Sequence, residues 1–155
     1  MLIFRSPLAG GFLTGKVSLA TEAETLSGGR WDPGRLPFYV KAFDKPVIHT
    51  DMIAFCKKCD AAGVTPTEVS LRWIVHHSAL GEGDVIILGA SRFDQLRGNV
   101  EFCKKGRLYE RLLGAYKELW KGFEKDPPEW FLTSLDAKNQ VEPRFKREKG
   151  GSFVY

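Results

Sequence analysis

The sequence predicts an α/β fold built on a parallel sheet, and three observations carry that prediction. Val85-Ile86-Ile87-Leu88 is a run of four apolar, mostly β-branched residues between glycine-rich ends, the pattern of a strand buried on both faces of a parallel sheet. Leu2-Ile3-Phe4 is a second apolar run, closed by Ser6-Pro7, and reads as another buried strand feeding a loop. Stretches of helical periodicity lie between and after these runs, and strands alternating with helices mean βα units.

Each element follows from local chemistry. The loop after the first strand continues through Gly10, Gly11 and Gly15, and Leu19 to Pro46 has little periodicity and many Gly and Pro residues. It reads as a long loop, a type that tends to be functional or disordered. Ile48, Met52, Ile53, Cys56 and Cys59 then fall on one helical stripe. Thr50 serves as its N-cap, Asp51 suits the first turn, and Gly63 stops the helix. Thr65-Pro66-Thr67-Glu68 is a capping box with Pro at the first helical position, opening a helix through Val69, Trp73 and His76 to about Ala79. Gly81-Glu82-Gly83 ends it before the second strand. Gly89-Ala90 turns the chain, Ser91 and Asp94 form a further cap pair, and Phe93, Leu96, Val100 and Cys103 stripe the next helix. The last amphipathic helix carries Leu108, Leu112, Leu113, Tyr116, Leu119, Trp120 and Phe123, and Asp126-Pro127-Pro128 breaks it.

Size and charge bound the possibilities. With 155 residues, 43% hydrophobic and 27% charged, the chain suits one globular domain. A complete (β/α)8 barrel needs ~250 residues, so this length does not close one alone. The formal net charge is +4, and half of that excess lies between Asp136 and Tyr155, as expected of a solvated tail. No bases interleave with aromatics on one ordered face, which argues against a nucleic-acid partner. No apolar run approaches the ~20 residues of a membrane span. The first residues lack the basic region of a signal peptide. Three cysteines make no disulfide framework, which points to a reducing, cytoplasmic setting.

Several motifs resolve into bland readings. Gly10 to Lys16 nearly matches a phosphate-binding P-loop, but Val17 stands where a Ser or Thr must bind Mg²⁺. Cys56-Lys57-Lys58-Cys59 sits past the first turn of its helix, where the dipole no longer activates a thiol, and reads as buried core thiols. Neighbouring His76 and His77 point about 100° apart on a helix, so they do not chelate one ion; one is expected packed and one solvated. His49 is expected at a helix-start surface, and no metal site is expected. Ser91-Arg92 is more informative, because free N–H groups and a guanidinium at a helix start suit an anion.

Three motifs together resemble one family. Ser6-Pro7-Leu8-Ala9-Gly10-Gly11-Phe12-Leu13-Thr14-Gly15-Lys16 resembles the loop after a late barrel strand of NADP-dependent aldo-keto reductases. Leu71-Arg72-Trp73-Ile74-Val75-His76-His77-Ser78 resembles a helix of that family, and Ile87 to Asn99 resembles its IxGxSxxEQLxxN segment. The HHS element and the PLAGG loop resemble the aflatoxin-aldehyde-reductase branch, and the similarity runs from about Leu2 to Trp120.

The resemblance implies a partial (β/α)8 TIM barrel: the last two βα units plus the C-terminal helix in residues 1–132, with a basic, disordered tail at 133–155. It implies reduction of an aldehyde or ketone to an alcohol by NADP(H), a small carbonyl substrate, and no membrane partner. It places Ser6, Pro7, Leu8, Gly10, Gly11 and Lys16 on the cofactor pyrophosphate, with Arg30 reaching the same cofactor. Gly89, Ser91, Arg92, Gln95 and Asn99 fall on the 2′-phosphate and adenine.

The family's catalytic Tyr, Lys, Asp and His lie on earlier strands. Tyr39, Tyr109, Tyr116 and Tyr155 do not match the catalytic motif, so no catalytic residue is assigned and the chain reads as truncated. The alternatives are a non-catalytic remnant that binds a nucleotide or a partner, or a truncated gene model of a full-length reductase. An open sheet edge implies self-association.

Overall fold

In a computed structural model the chain is organised around its helices more than around its sheet. The structure describes residues 1–20, 29–32, 40, 43–125, 146–147 and 153–154. Strand β1 (Ile3–Phe4) leads into a 3-10 segment (Ala9–Thr14) and a single helical turn, α1 (Lys16–Leu19). Helices α2 (Pro46–Asp60) and α3 (Pro66–His77) precede strand β2 (Val85–Ile86), and α4 (Phe93–Lys104) and α5 (Glu110–Lys125) follow it. Strands β1 and β2 pair in parallel, with Ile3 opposite Val85 and Phe4 opposite Ile86. The βα alternation and the parallel pairing are therefore as the sequence predicts.

Within the expected tail, β3 (Lys146–Arg147) pairs antiparallel with β4 (Phe153–Val154). The helix break expected at Asp126 to Pro128 lies outside the described residues, and α5 runs up to Lys125.

The core lies between α2, α3, α5 and the loop after β1. Phe12, Ile48, Met52, Phe55, Cys59, Val69 and Leu71 are fully buried, and Leu112, Tyr116, Leu119 and Phe123 close over them from α5. Burying each such side chain contributes about 1.5–3 kcal/mol relative to leaving it in water. Trp31 and Phe43, from the region expected to be only a loop, are buried in this same cluster. Phe12 is the hub, with ring centroids 5.6 Å from Trp31, 5.7 Å from Phe43 and 5.9 Å from Phe123.

Four expectations are corrected. The strands are not buried on both faces: Ile3 is 55% exposed and Val85 45%, in a sheet of only two described strands. The α4 stripe is also outward, with Phe93, Leu96 and Val100 exposed and Asn99 the buried residue. Helix α2 starts one turn earlier than Thr50, because Pro46 takes the first helical position after the extended Lys45. Thr50 then lies inside the helix and its hydroxyl donates to the Pro46 carbonyl at 2.9 Å. Ser91 does not cap α4; its N–H and hydroxyl both reach Gln95 Oε1, at 3.3 and 3.0 Å, and Arg92 is the flanking residue. The Thr65 cap holds, with its hydroxyl oxygen accepting from the Glu68 N–H at 3.1 Å.

Candidate functional site

Parallel pairing sends the chain out of β1 and β2 at the same end, so the loops that follow them are neighbours. In open α/β sheets this carboxyl end of the strands is where ligands bind. The loop after β1 is Ser6 to Gly15, and its backbone is unusual. Ser6 and Ala9 have φ of 58° and 48°, followed by Gly10 at 68° and Gly11 at 105°. A left-handed residue with a Cβ costs about 1 kcal/mol or more, and such strain persists where the surroundings enforce it. Here Phe12, three residues on, is pinned at the centre of the core. Hydrogen bonds from Ala9 N–H to Ser6 O and from Gly11 N–H to Leu8 O close the turn at 2.9 and 2.8 Å. At Gly11 nothing lies within 4 Å of where a Cβ would stand, so the turn presents open backbone.

The second loop, Gly89 to Arg92, is exposed throughout. Arg30 connects the two: its Nη2 lies 3.8 Å from where a Cβ on Gly89 would stand. Its neighbour Trp31 donates its indole N–H to the Gly10 carbonyl at 3.3 Å. Thus Arg30 leans on the second loop while Trp31 is tied to the first. Lys16, Arg30 and Arg92 are exposed and make no ion pair with another described residue. Exposed cations thus lie on or beside both loops, a chemistry that suits an anionic ligand.

The structure places the twelve sequence-predicted residues in different situations. Ser6, Lys16, Arg30, Gly89, Ser91 and Arg92 are exposed. Leu8, Gly10, Gly11 and Gln95 are half-buried, and Pro7 is buried beneath the turn. Asn99 is buried on α4, away from the exposed residues of the helix start. The near P-loop match is not a P-loop, because α1 is a single turn and the glycines form the left-handed bend instead.

The remaining motifs have structural roles. Cys56 and Cys59 are buried core thiols as expected, and burial pushes the Cys59 thiol up to about 12. Both histidines of His76-His77 are half-buried and bonded, correcting the expectation of one solvated. His76 Nε2 meets the Lys105 carbonyl at 2.6 Å, and the Leu108 N–H donates to His77 Nε2 at 3.0 Å. On the same helix, the guanidinium of Arg72 pairs with Glu68 at 2.8 Å and donates to the carbonyls of Gly106 and Arg107. Arg72, His76 and His77 thus clamp the α4–α5 loop.

His49, expected at a helix-start surface, is drawn inward. It bonds Ser18 and Asp44 and lies edge-on to Phe12 at 5.5 Å. Trp31 and His49 join this region only in the structure: Trp31 closely follows Gly28-Gly29, a signal that points to it, whereas no local pattern marks His49.

Tyr116, one of the tyrosines set aside above, is buried and stacked on Trp73 at 5.0 Å. Burial pushes its phenol up to about 12, which makes it a poor proton donor or acceptor near neutral pH. Tyr109 is exposed, and Tyr39 and Tyr155 lie outside the described residues. Among the described residues no group of three metal-ligating side chains comes together, and no described helix is long and apolar enough to cross a membrane. A concavity of about 310 Å³ lies between α2 and α5, lined by Lys58, Arg111, Leu112 and Glu118, and is no part of these loops.

Comparison with known proteins points to one family. Residues 1–121 match the profile of the Aldo/keto reductase family. An aldo-keto reductase of Pseudocercospora fijiensis is 36% identical over 118 residues, covering 74% of this chain and 40% of the relative. The oxidoreductase sirO of Leptosphaeria maculans is 34% identical, covering 82% of this chain and 39% of its own length. Aflatoxin B1 aldehyde reductase member 4 of Homo sapiens is 32% identical over 135 residues, covering 82% of this chain and 40% of the relative. The chain spans about 40% of the length of these curated relatives. With a family profile covering most of its length and the three motifs in the family's order, the chain belongs to the aldo/keto reductase family of oxidoreductases.

Proposed function

We propose that residues 1–132 are the last two βα units and C-terminal helix of a (β/α)8 barrel, and that they carry the nucleotide-clamping part of an NADPH-dependent carbonyl reductase. The observation that supports this most is Arg30 leaning on Gly89 while Trp31 holds Gly10, which joins the two loops into one cationic rim. The left-handed turn at Ser6 to Gly11 would lie along the pyrophosphate, with Lys16 and Arg30 as its counter-charges. Ser91 and Arg92 would take the 2′-phosphate, and Gln95 and Asn99 the adenine. Bound NADPH supplies a hydride to an aldehyde or ketone. The proton donor that completes the reduction is assigned to none of the residues in this chain.

The test is binding and turnover by the 155-residue protein. NADP binds it, and Arg92→Ala lowers NADP affinity about 10-fold or more while leaving NAD affinity unchanged, as loss of a charge-assisted bond to the 2′-phosphate requires. Arg30→Ala weakens both nucleotides. The chain alone oxidises no NADPH with aldehydes above background, because general-acid catalysis is worth about 10²–10⁴-fold. Unchanged NADP affinity in Arg92→Ala, or clear turnover by the chain alone, overturns the reading.

We also propose that the exposed strands pair between copies, since Ile3, Val85 and Ile87 stand in water on the only parallel ladder described. Sedimentation at rising concentration reads this, and a monodisperse monomer at all concentrations contradicts it.

A further inference from the structure

We propose that Ser18 is an activated nucleophile that takes an acyl group from small activated carboxylic esters, a chemistry separate from nucleotide binding. Ser18 Oγ lies 2.9 Å from His49 Nδ1, and His49 Nε2 lies 3.0 Å from Asp44 Oδ1. The order of these bonds decides their polarity. An ionised carboxylate only accepts, so the Nε2 facing Asp44 carries the proton of the neutral imidazole. Nδ1 is then the lone-pair nitrogen, and Ser18 must donate its hydroxyl hydrogen to it. That is the direction a general base needs to draw a proton from a serine, with the third group fixing tautomer and orientation.

The elements hold this chain of bonds in place. Ser18 sits on α1, directly after the turn that Phe12 pins, and His49 is on the first turns of α2 with its ring edge-on to Phe12. The His49 side chain is 21% exposed and Asp44 62%. The imidazole is therefore largely packed, and Ser18 is half-buried.

Ser18 Oγ attacks the ester carbonyl carbon while its proton passes to His49 Nδ1. The bond from carbon to the leaving oxygen breaks, the leaving aryloxide takes the proton from His49, and Ser18 is left acylated. Water attacking that ester by the same route releases the carboxylic acid and restores the serine.

The experiment treats the full chain with p-nitrophenyl acetate and, separately, with a fluorophosphonate, and maps the adducts by peptide mass spectrometry. Ser18 is expected to carry the acetyl and phosphonyl groups. His49→Gln is expected to slow Ser18 labelling about 100-fold, in the range of a lost general base, and Asp44→Asn to slow it less. Circular dichroism confirms that each variant is folded. Absence of a Ser18 adduct in the unmodified chain, adducts confined to lysines, or unchanged labelling in folded His49→Gln overturns the proposal. Absence of the adduct on the unmodified chain overturns the proposal by itself, so it stays falsifiable whether or not a variant folds. It is also independent of NADP affinity.

Discussion

The two loops that make up the candidate site are held in opposite ways. The first is bolted to the core: Phe12, one residue past its left-handed bend, is fully buried among Trp31, Phe43, His49 and Phe123. The second rides on exposed residues: β2 and the start of α4 face water, and Phe93 is 69% exposed. Its local order comes from Ser91 reaching Gln95 and from Asp84, which accepts from the Leu2 and Gly81 N–H groups at 2.7 and 2.9 Å. Hydrogen bonds of this kind contribute about 1 kcal/mol each, whereas the aromatic cluster removes large apolar surfaces from water. Stability in this chain therefore belongs to the helices around the first loop, and the second loop adds little to it.

The sharpest way to break this contrast is Phe12→Ala, which empties the hub and is expected to cost about 3–5 kcal/mol, read by urea unfolding. The same truncation at exposed Phe93 should change stability by less than about 0.5 kcal/mol. Alkaline pH is the next largest probe. Buried Tyr116 has its phenol raised to about 12, above its unfolded value of 10.0, so its contribution is fully present below pH 10 and is lost as pH rises through about 12. That contribution is at most about 3 kcal/mol, and Tyr116→Phe should flatten the alkaline slope in urea titrations.

Gly15→Ala is expected to cost about 2 kcal/mol. Its φ is 81°, and a Cβ there would stand 2.5 Å from Cys56 Sγ, so the substitution strains the backbone and overpacks the core at once. Differential scanning calorimetry reads this, and an unshifted Tm would show that the loop end yields. The smallest effect is expected from Ile87→Thr on the exposed ladder: stability moves by less than about 0.5 kcal/mol, while any concentration-dependent association falls. A large loss of stability there would mean that the sheet, rather than the helical core, carries the fold.

Much of the helical part was legible in residue pattern alone. The Thr65 cap, the buried Cys56 and Cys59, and the inward Leu112, Tyr116, Leu119 and Phe123 follow from cap chemistry and a 3.6-residue period. The start of α2 differs from the local signal because Thr50 competes with Pro46 as a start, and proline, whose φ is preset, opens the helix first. The apolar runs at β1, β2 and α4 were legible as elements but not as exposed ones. Pattern shows which face is apolar, and only neighbours decide whether that face is covered.

The two loops and their glycines, the parallel order of the strands, and the family itself were determined by the sequence, because turn chemistry and apolar period are local properties. Tertiary structure alone decided that Arg30 meets Gly89, that Trp31 holds Gly10, and that Ser18, His49 and Asp44 form one chain of hydrogen bonds. Apart from Asp44 and His49, which are five positions apart, those contacts join residues 21 to 59 positions apart, and no local rule sees across such distances. They exist because burying Phe12, Trp31 and Phe43 in one cluster pulls the first loop, the segment after it and α2 together.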